Sequence, residues 1–271
     1  MPSRAPNGLA VGGAVIASAG LVLLLGLPIA ALVLRVPAGH LLRRLGDPEV
    51  LQALRLSLVT SVAATVAVAL LGLPVAYLLA TRTFPGKRAL EVLIDLPMVL
   101  PPTVAGVGLL LAFGRNGLAG GALSALGLSL PFTTLAVVVA QMFVAAPFFI
   151  AATRAGLSEI DQRYLDAAAT LRASPFRTLF RIMLPLAYPS LLAGAAMTWA
   201  RALGEFGATI TFAGNMPGVT QTMPLAVYIA LQSDLDAAVA MSVLLLAFAL
   251  AILLAIRLAS PETFRARLPG R

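Results

Sequence analysis

From Leu9 through Leu34 the chain carries no charged side chain, and comparable apolar runs recur along its length. An α-helix needs about 20 apolar residues to cross a hydrocarbon core about 30 Å thick. The runs are continuous blocks, unlike the patches that an amphipathic helix lays on a soluble core. A water-soluble domain of this size keeps roughly 25% of its residues charged. Here 60% are hydrophobic and 11% charged, with a mean hydropathy of +0.97. The sequence therefore reads as an all-α polytopic membrane protein.

Six spans are predicted within one transmembrane domain covering residues 1–271: 9–34, 51–80, 90–113, 132–153, 189–212 and 237–256. Pro28 interrupts the first, Pro74 the second, and Pro97, Pro101 and Pro102 the third. Proline inside a span needs neighbours that re-pair the freed carbonyls, so the third span is expected to lie packed within the bundle. Arg4 and Ala17-Ser18-Ala19 loosely match a cleaved signal peptide, but the apolar run continues well past them. The first segment is read as a retained span.

The sequence has no cysteine and a single histidine, His40, which excludes disulfides and thiolate metal sites and leaves little for a histidine-built one. A net charge of +8 raises the question of nucleic acid. The placement of the basic residues answers it. Arg4, Arg82, Lys87, Arg88, Arg154, Arg163, Arg172, Arg177, Arg181, Arg257, Arg265, Arg267 and Arg271 fall on one side of the predicted spans. Arg35, Arg43, Arg44 and Arg115 fall on the other, with Asp47, Glu49, Asp234 and Asp236. The positive-inside rule puts the larger group and both termini in the cytoplasm. The expected setting is lipid, in the cytoplasmic (inner) membrane of a bacterium, with no nucleic-acid partner.

The segment 156–188 is too long and polar for a simple connection. Leu157, Ile160, Tyr164, Ala168 and Leu171 recur at three- and four-residue steps and predict one apolar stripe. Ser174-Pro175 reads as an N-cap followed by proline at the first helical position. Phe176, Leu179, Phe180 and Met183 then form a second stripe, with Arg177 and Arg181 off it and Pro185 at its end. Two short helices joined by a bend are expected at the cytoplasmic surface. Periodicity alone leaves open whether they lie among the lipid headgroups.

The residues themselves narrow this. Asp166-Ala167-Ala168, Leu171, Arg172 and Ile182-Met183-Leu184-Pro185 hold the spacing of the EAA loop, and the segment resembles that loop of ABC importer permeases. The resemblance implies the type I importer permease fold, with coupling helices that dock on a separate ATP-hydrolysing subunit. Asp166 stands where the family has glutamate, and Arg172 where it has glycine. Glycine suits a left-handed turn, which costs another residue about 1–2 kcal/mol. Either the bend avoids that conformation or the loop holds some strain.

The resemblance extends over roughly residues 54–254. Phe84-Pro85-Gly86-Lys87 with Asp95 to Pro102, and Ala200 to Ile210, are similar to the third and fifth spans of molybdate and sulfate permeases. Gly204-Glu205-Phe206-Gly207, Ala213 to Gly218 and Thr222-Met223-Pro224 favour the molybdate branch, with tungstate handled alike and sulfate or thiosulfate as the alternative. The likeness implies a homodimer, two ATPase subunits and an external oxyanion-binding protein. No Gly-x-x-x-x-Gly-Lys-Ser/Thr loop is present, so ATP and Mg are expected in the partner, with no cofactor and no catalytic or metal site here. An intramembrane enzyme would need His, Cys or paired Asp inside the spans, and a self-sufficient transporter would need internal inverted repeats.

Charges inside spans mark a pathway or a pair. Arg201 and Glu205 are i, i+4 neighbours, and are read either as a structural ion pair or as pore lining. Arg55, Thr209, Thr211 and Asn215 are further pore or gate candidates. Gly106, Gly108, Gly194, Gly204 and Gly207 would permit close helix packing. Glu91 and Asp95, preceded by Lys87 and Arg88, read as a charged helix start paired to those bases, in preference to a general acid/base pair.

Overall fold

The computed structural model describes residues 8–35, 39, 41 and 46–258. Arg4, His40, Arg43, Arg44, Arg265, Arg267 and Arg271 lie outside the described residues. Helices dominate, and no strand occurs among the described residues. In chain order they are α1 (Gly8–Leu34), α2 (Pro48–Thr81), α3 (Lys87–Val99), α4 (Pro102–Phe113), α5 (Gly120–Ala125) and α6 (Thr134–Ser158). There follow α7 (Gln162–Thr170), α8 (Pro175–Thr178), a π-helical turn (Leu179–Met183), α9 (Leu184–Leu203), α10 (Gly207–Phe212), α11 (Met223–Ala230) and α12 (Leu235–Leu258). Among the described residues five helices are long and apolar enough to cross a membrane, and the bent pair α3–α4 raises the number to six if it forms one span.

The centre of the bundle is α6, which packs along both α2 and α9. Its N-terminus is capped by Thr133, whose side chain accepts from the Ala136 N–H at 3.2 Å. On α2 the buried residues include Val50, Leu54, Ser57, Ser61, Ala64, Val68, Gly72, Ala76 and Leu79, steps of three and four that trace one helical stripe. Small residues set the spacing between these helices. A Cβ on Gly72 would fall 3.0 Å from Ile150 Cγ1, and one on Gly194 would fall 3.0 Å from Ala152 Cβ.

Two spans depart from the sequence reading. The third is not one rod: α3 and α4 meet at 119°. Leu100 and Pro101 are both extended, with ψ of 132° and 134°. A residue before proline is pushed out of the helical region, and with two prolines in succession the chain cannot continue straight. The fifth runs from Pro175 to Leu203 and breaks at residues 204–206, before α10. Pro185 does not end the second loop helix. The Leu184 N–H instead reaches back five residues to the Leu179 carbonyl, and this widened turn carries the helix past a residue that lacks a donor.

Candidate functional site

The segment between α6 and α9 folds as two capped helices. Asp161 caps α7, accepting from the Arg163 N–H at 2.9 Å, while its other oxygen takes the Arg163 guanidinium. These bonds, the side-chain one first, hold the Asp161 carboxyl below its usual range, and the side-chain bond pushes the Arg163 guanidinium above its own. Ser174 caps α8, accepting from the Arg177 N–H at 3.3 Å with Pro175 at the first helical position, as the sequence predicts.

Between them Arg172 adopts φ 53°. The Arg172 N–H donates to the Ala169 carbonyl at 2.9 Å and the Ala173 N–H to the Ala168 carbonyl at 3.0 Å. These are the paired bonds of a Schellman C-cap, with arginine in the left-handed position that glycine fills best. Gly127 ends α5 with the same two bonds at φ 71°. The bend therefore takes the left-handed conformation.

The two apolar stripes are only half covered. Leu157, Met183 and Ala187 are buried, packed with Ile160, Leu165 and Leu179 against Tyr77 and Ala80 at the end of α2, and Ala168 is buried as well. Tyr164, Leu171, Phe176 and Phe180 are exposed, Leu171 at 82%, and the two phenylalanine rings lie 4.4 Å apart. Of the remaining loop candidates, Asp166, Ala167, Arg172 and Pro185 are exposed, and Ile182 and Leu184 half-buried. Asp166 accepts from Gln162 Nε2 at 3.2 Å. The exposed residues of the two helices thus combine aromatic and aliphatic side chains with the charges of Asp166, Arg172, Arg177 and Arg181.

Inside the bundle, Arg201 and Glu205 form the expected ion pair at 2.6 Å, with Glu205 1% exposed. Glu205 Oε1 accepts from the Ala208 N–H at 2.8 Å. Arg201 approaches Oε2 as a charge contact, outside hydrogen-bond geometry. Thr211 turns its hydroxyl back to the Gly207 carbonyl at 2.8 Å. Thr209 Oγ1 and Asn215 Oδ1 are buried without a hydrogen-bond partner. Arg55 is exposed on α2, off the buried stripe, and is not gathered with the others.

Close packing holds for three of the five glycines. A Cβ on Gly106 would lie 2.6 Å from Thr211 Cβ, and one on Gly207 would lie 2.7 Å from Pro102 Cβ; Gly194 is likewise tight. Gly108 has nothing within 4 Å and Gly204 only the Ala200 carbonyl at 3.6 Å. Glu91 pairs at 2.8 Å with Arg154 of α6, not with Lys87 or Arg88, because one face of α3 turns it toward α6; Lys87 Nζ instead donates to the Arg82 carbonyl. The tight contact of Gly156 with Ser190, which seats α6 on α9, has no sequence signal beyond a single glycine.

Two broken spans beside a capped helix pair make up an all-α membrane subunit. The profile described as binding-protein-dependent transport system inner membrane component matches residues 69–264, and the chain belongs to that family. It is 42% identical over 245 residues to the molybdenum transport system permease protein ModB of Mycobacterium tuberculosis, covering 90% of this chain and 92% of that one. The Escherichia coli ModB is 42% identical over 190 residues, covering 70% and 82%. The molybdate/tungstate permease protein WtpB of Thermococcus kodakarensis is 38% identical over 195 residues, covering 71% and 74%. In fold it is similar to a chain of a bacterial alginate ABC transporter crystallised with its substrate-bound periplasmic protein, with a TM-score of 0.71 at 16% identity over 91% and 92%.

Proposed function

We propose that this chain is the permease subunit of an ATP-binding-cassette importer that carries molybdate or tungstate into the cytoplasm. The observation that carries the reading is the 42% identity to a molybdenum transport permease along nine-tenths of the chain. The exposed face of α7 and α8 supports the energetics. Tyr164, Leu171, Phe176 and Phe180 are left exposed by the described residues, with the Phe176 and Phe180 rings in contact, and exposed large apolar side chains gathered in this way mark an interaction site. The partner is a separate ATPase, which binds ATP and Mg; the Asp166 and Arg172 rim sets the register of docking.

The subunit works as a homodimer with its pore on the two-fold axis, two ATPases below and an oxyanion-binding protein outside. Helix α1, apolar all round and left largely exposed by the other described residues, leaves ample surface for lipid and a second copy. Both termini are cytoplasmic. The pore candidates are Arg201, Glu205, Thr209, Thr211 and Asn215. Arg201, faced by the Glu205 carboxylate, has its charge compensated inside the chain, which favours the ion-pair reading over direct attraction of a dianion.

The test is uptake into vesicles holding this chain with its cognate ATPase, supplied with the binding protein and with molybdate, tungstate or sulfate. ATP-dependent uptake of molybdate or tungstate is expected. Uptake of sulfate alone would reassign the substrate, and failure to associate with any ATPase would overturn the reading.

A further inference from the structure

Glu205 is the one fully ionisable side chain in the buried set among the described residues, and a buried carboxylate is retained only where its partners compensate it. Its two oxygens face different elements. Oε1 accepts from the Ala208 N–H in the first turn of α10, and Oε2 meets Arg201 on the last turn of α9. The backbone between them is the break at residues 204–206, where neither helix holds the other through its own ladder.

Two further relationships give this contact leverage. Helix α10 is seated on α4 with no slack. Gly207 abuts Pro102, with Thr103 N only 3.1 Å from its virtual Cβ, and Gly106 abuts Thr211 and the Ala208 carbonyl. Displacing α10 therefore displaces the start of α4, which is itself detached from α3 by the break at Leu100 and Pro101. At the other end, α9 continues through the π turn into α8, so one rod runs from Pro175 at the exposed loop surface to Leu203.

We propose that Glu205 is a positioning residue of the transport path, a latch joining the inner end of that rod to the paired breaks in the third and fifth spans. Motion imposed on Phe176 and Phe180 travels along the rod to Arg201, crosses to Glu205, and moves α10 and α4 together. This rests on the import reading above, since it assigns the route by which docking reaches the pore. A pair that served only to balance charge would be satisfied by a neutral isosteric pair. A latch would not, because a neutral pair removes the opposed charges and with them the pull across the break.

The chain has no cysteine, so Thr103→Cys, exposed on the first turn of α4, is a clean reporter. The complex with ATPase and binding protein is reconstituted with Glu205 intact, with E205Q, and with R201Q/E205Q. Labelling of the introduced thiol by a water-soluble maleimide is compared without nucleotide and after trapping with ATP and vanadate. With Glu205 intact the two labelling rates should differ roughly fivefold or more. In E205Q and in the double variant that difference should collapse, and oxyanion carried per ATP hydrolysed should fall by roughly fivefold or more. Restoration of both readouts in R201Q/E205Q would reduce the pair to charge balance and overturn the latch. So would an unaltered E205Q, or failure of both variants to assemble, since the pair would then be required merely for folding. If the intact complex moves no oxyanion yet its labelling still responds to nucleotide through Glu205, the import reading fails and the latch stands.

Discussion

Ala167 and Ala168 are neighbours in sequence, yet Ala167 is exposed and Ala168 is 4% exposed, packed under α7. The two alanines shared with the EAA loop therefore do different work. Ala168 occupies a covered position on α7, and Ala167 keeps the outer surface low.

Substituting each with leucine separates these roles. Ala168→Leu overfills a packed site, which costs about 1–3 kcal/mol, and should lower the melting temperature of the purified permease. Ala167→Leu should leave the melting temperature near that of the parent and weaken capture of the ATPase. Thermal unfolding and co-purification, read side by side, check both. Equal loss of stability in the two variants would contradict the facing.

Arg172 at φ 53° offers a second test. Glycine adopts that conformation without the Cβ clash, so Arg172→Gly should stabilise the bend by about 0.5–1 kcal/mol, the left-handed penalty less the extra freedom glycine has when unfolded. Arg172→Val should destabilise it further, since a β-branched residue fits positive φ poorly. Hydrogen exchange at the Ala173 amide, which donates to Ala168, reads the bend directly. Slower exchange is expected in the glycine variant and faster in the valine one.

How far this region can be read from sequence depends on which face of each helix is meant. The caps at Ser174 and Pro175 and the three-to-four periodicity are local properties, and they fold as the residues dictate. Periodicity also reports which residues share a face, but it cannot say what covers that face. Tyr164, Leu171, Phe176 and Phe180 are apolar at helical spacing and still exposed, because no described residue of this chain covers them. The breaks are legible only in part. Pro101 and Pro102 in succession carry the signal for the α3–α4 bend, whereas nothing in Gly204-Glu205-Phe206 by itself announces that a helix stops there. The Glu91 pairing with Arg154 is a long-range contact between α3 and α6, beyond the reach of a neighbour rule that favours Lys87 and Arg88.

The Asp161 cap should respond to pH. The folded carboxyl titrates below its usual range because it accepts from the Arg163 side chain and backbone. A depressed folded value means the cap contributes fully above the unfolded carboxylate range, about pH 4, and is lost as pH falls through the lower folded value. Protection of the Arg163 amide, corrected for intrinsic exchange, should hold at neutral pH and decline only under acid. Asp161→Asn keeps an acceptor for that amide and should remove the acid-dependent decline. An unchanged acid response in that variant would place the titrating group elsewhere.

Gly106 and Gly108 lie two residues apart on α4 and should answer oppositely to the same substitution. A Cβ on Gly106 would sit 2.6 Å from Thr211 Cβ and 2.9 Å from the Ala208 carbonyl, so α10 and α4 must part to admit it. A Cβ on Gly108 meets nothing within 4 Å. Gly106→Ala should therefore destabilise the permease by about 1–3 kcal/mol, the range for overpacking a tight contact. Gly108→Ala should be neutral or stabilising by up to about 1 kcal/mol, since alanine is the better helix former. The comparison cancels chemistry and isolates position: both add one methyl to the same helix in the same membrane. Melting temperatures of the two variants in one detergent decide it. A Gly106→Ala protein as stable as the Gly108→Ala one would mean that α10 is not seated on α4, and the close junction of the two broken spans would have to be abandoned.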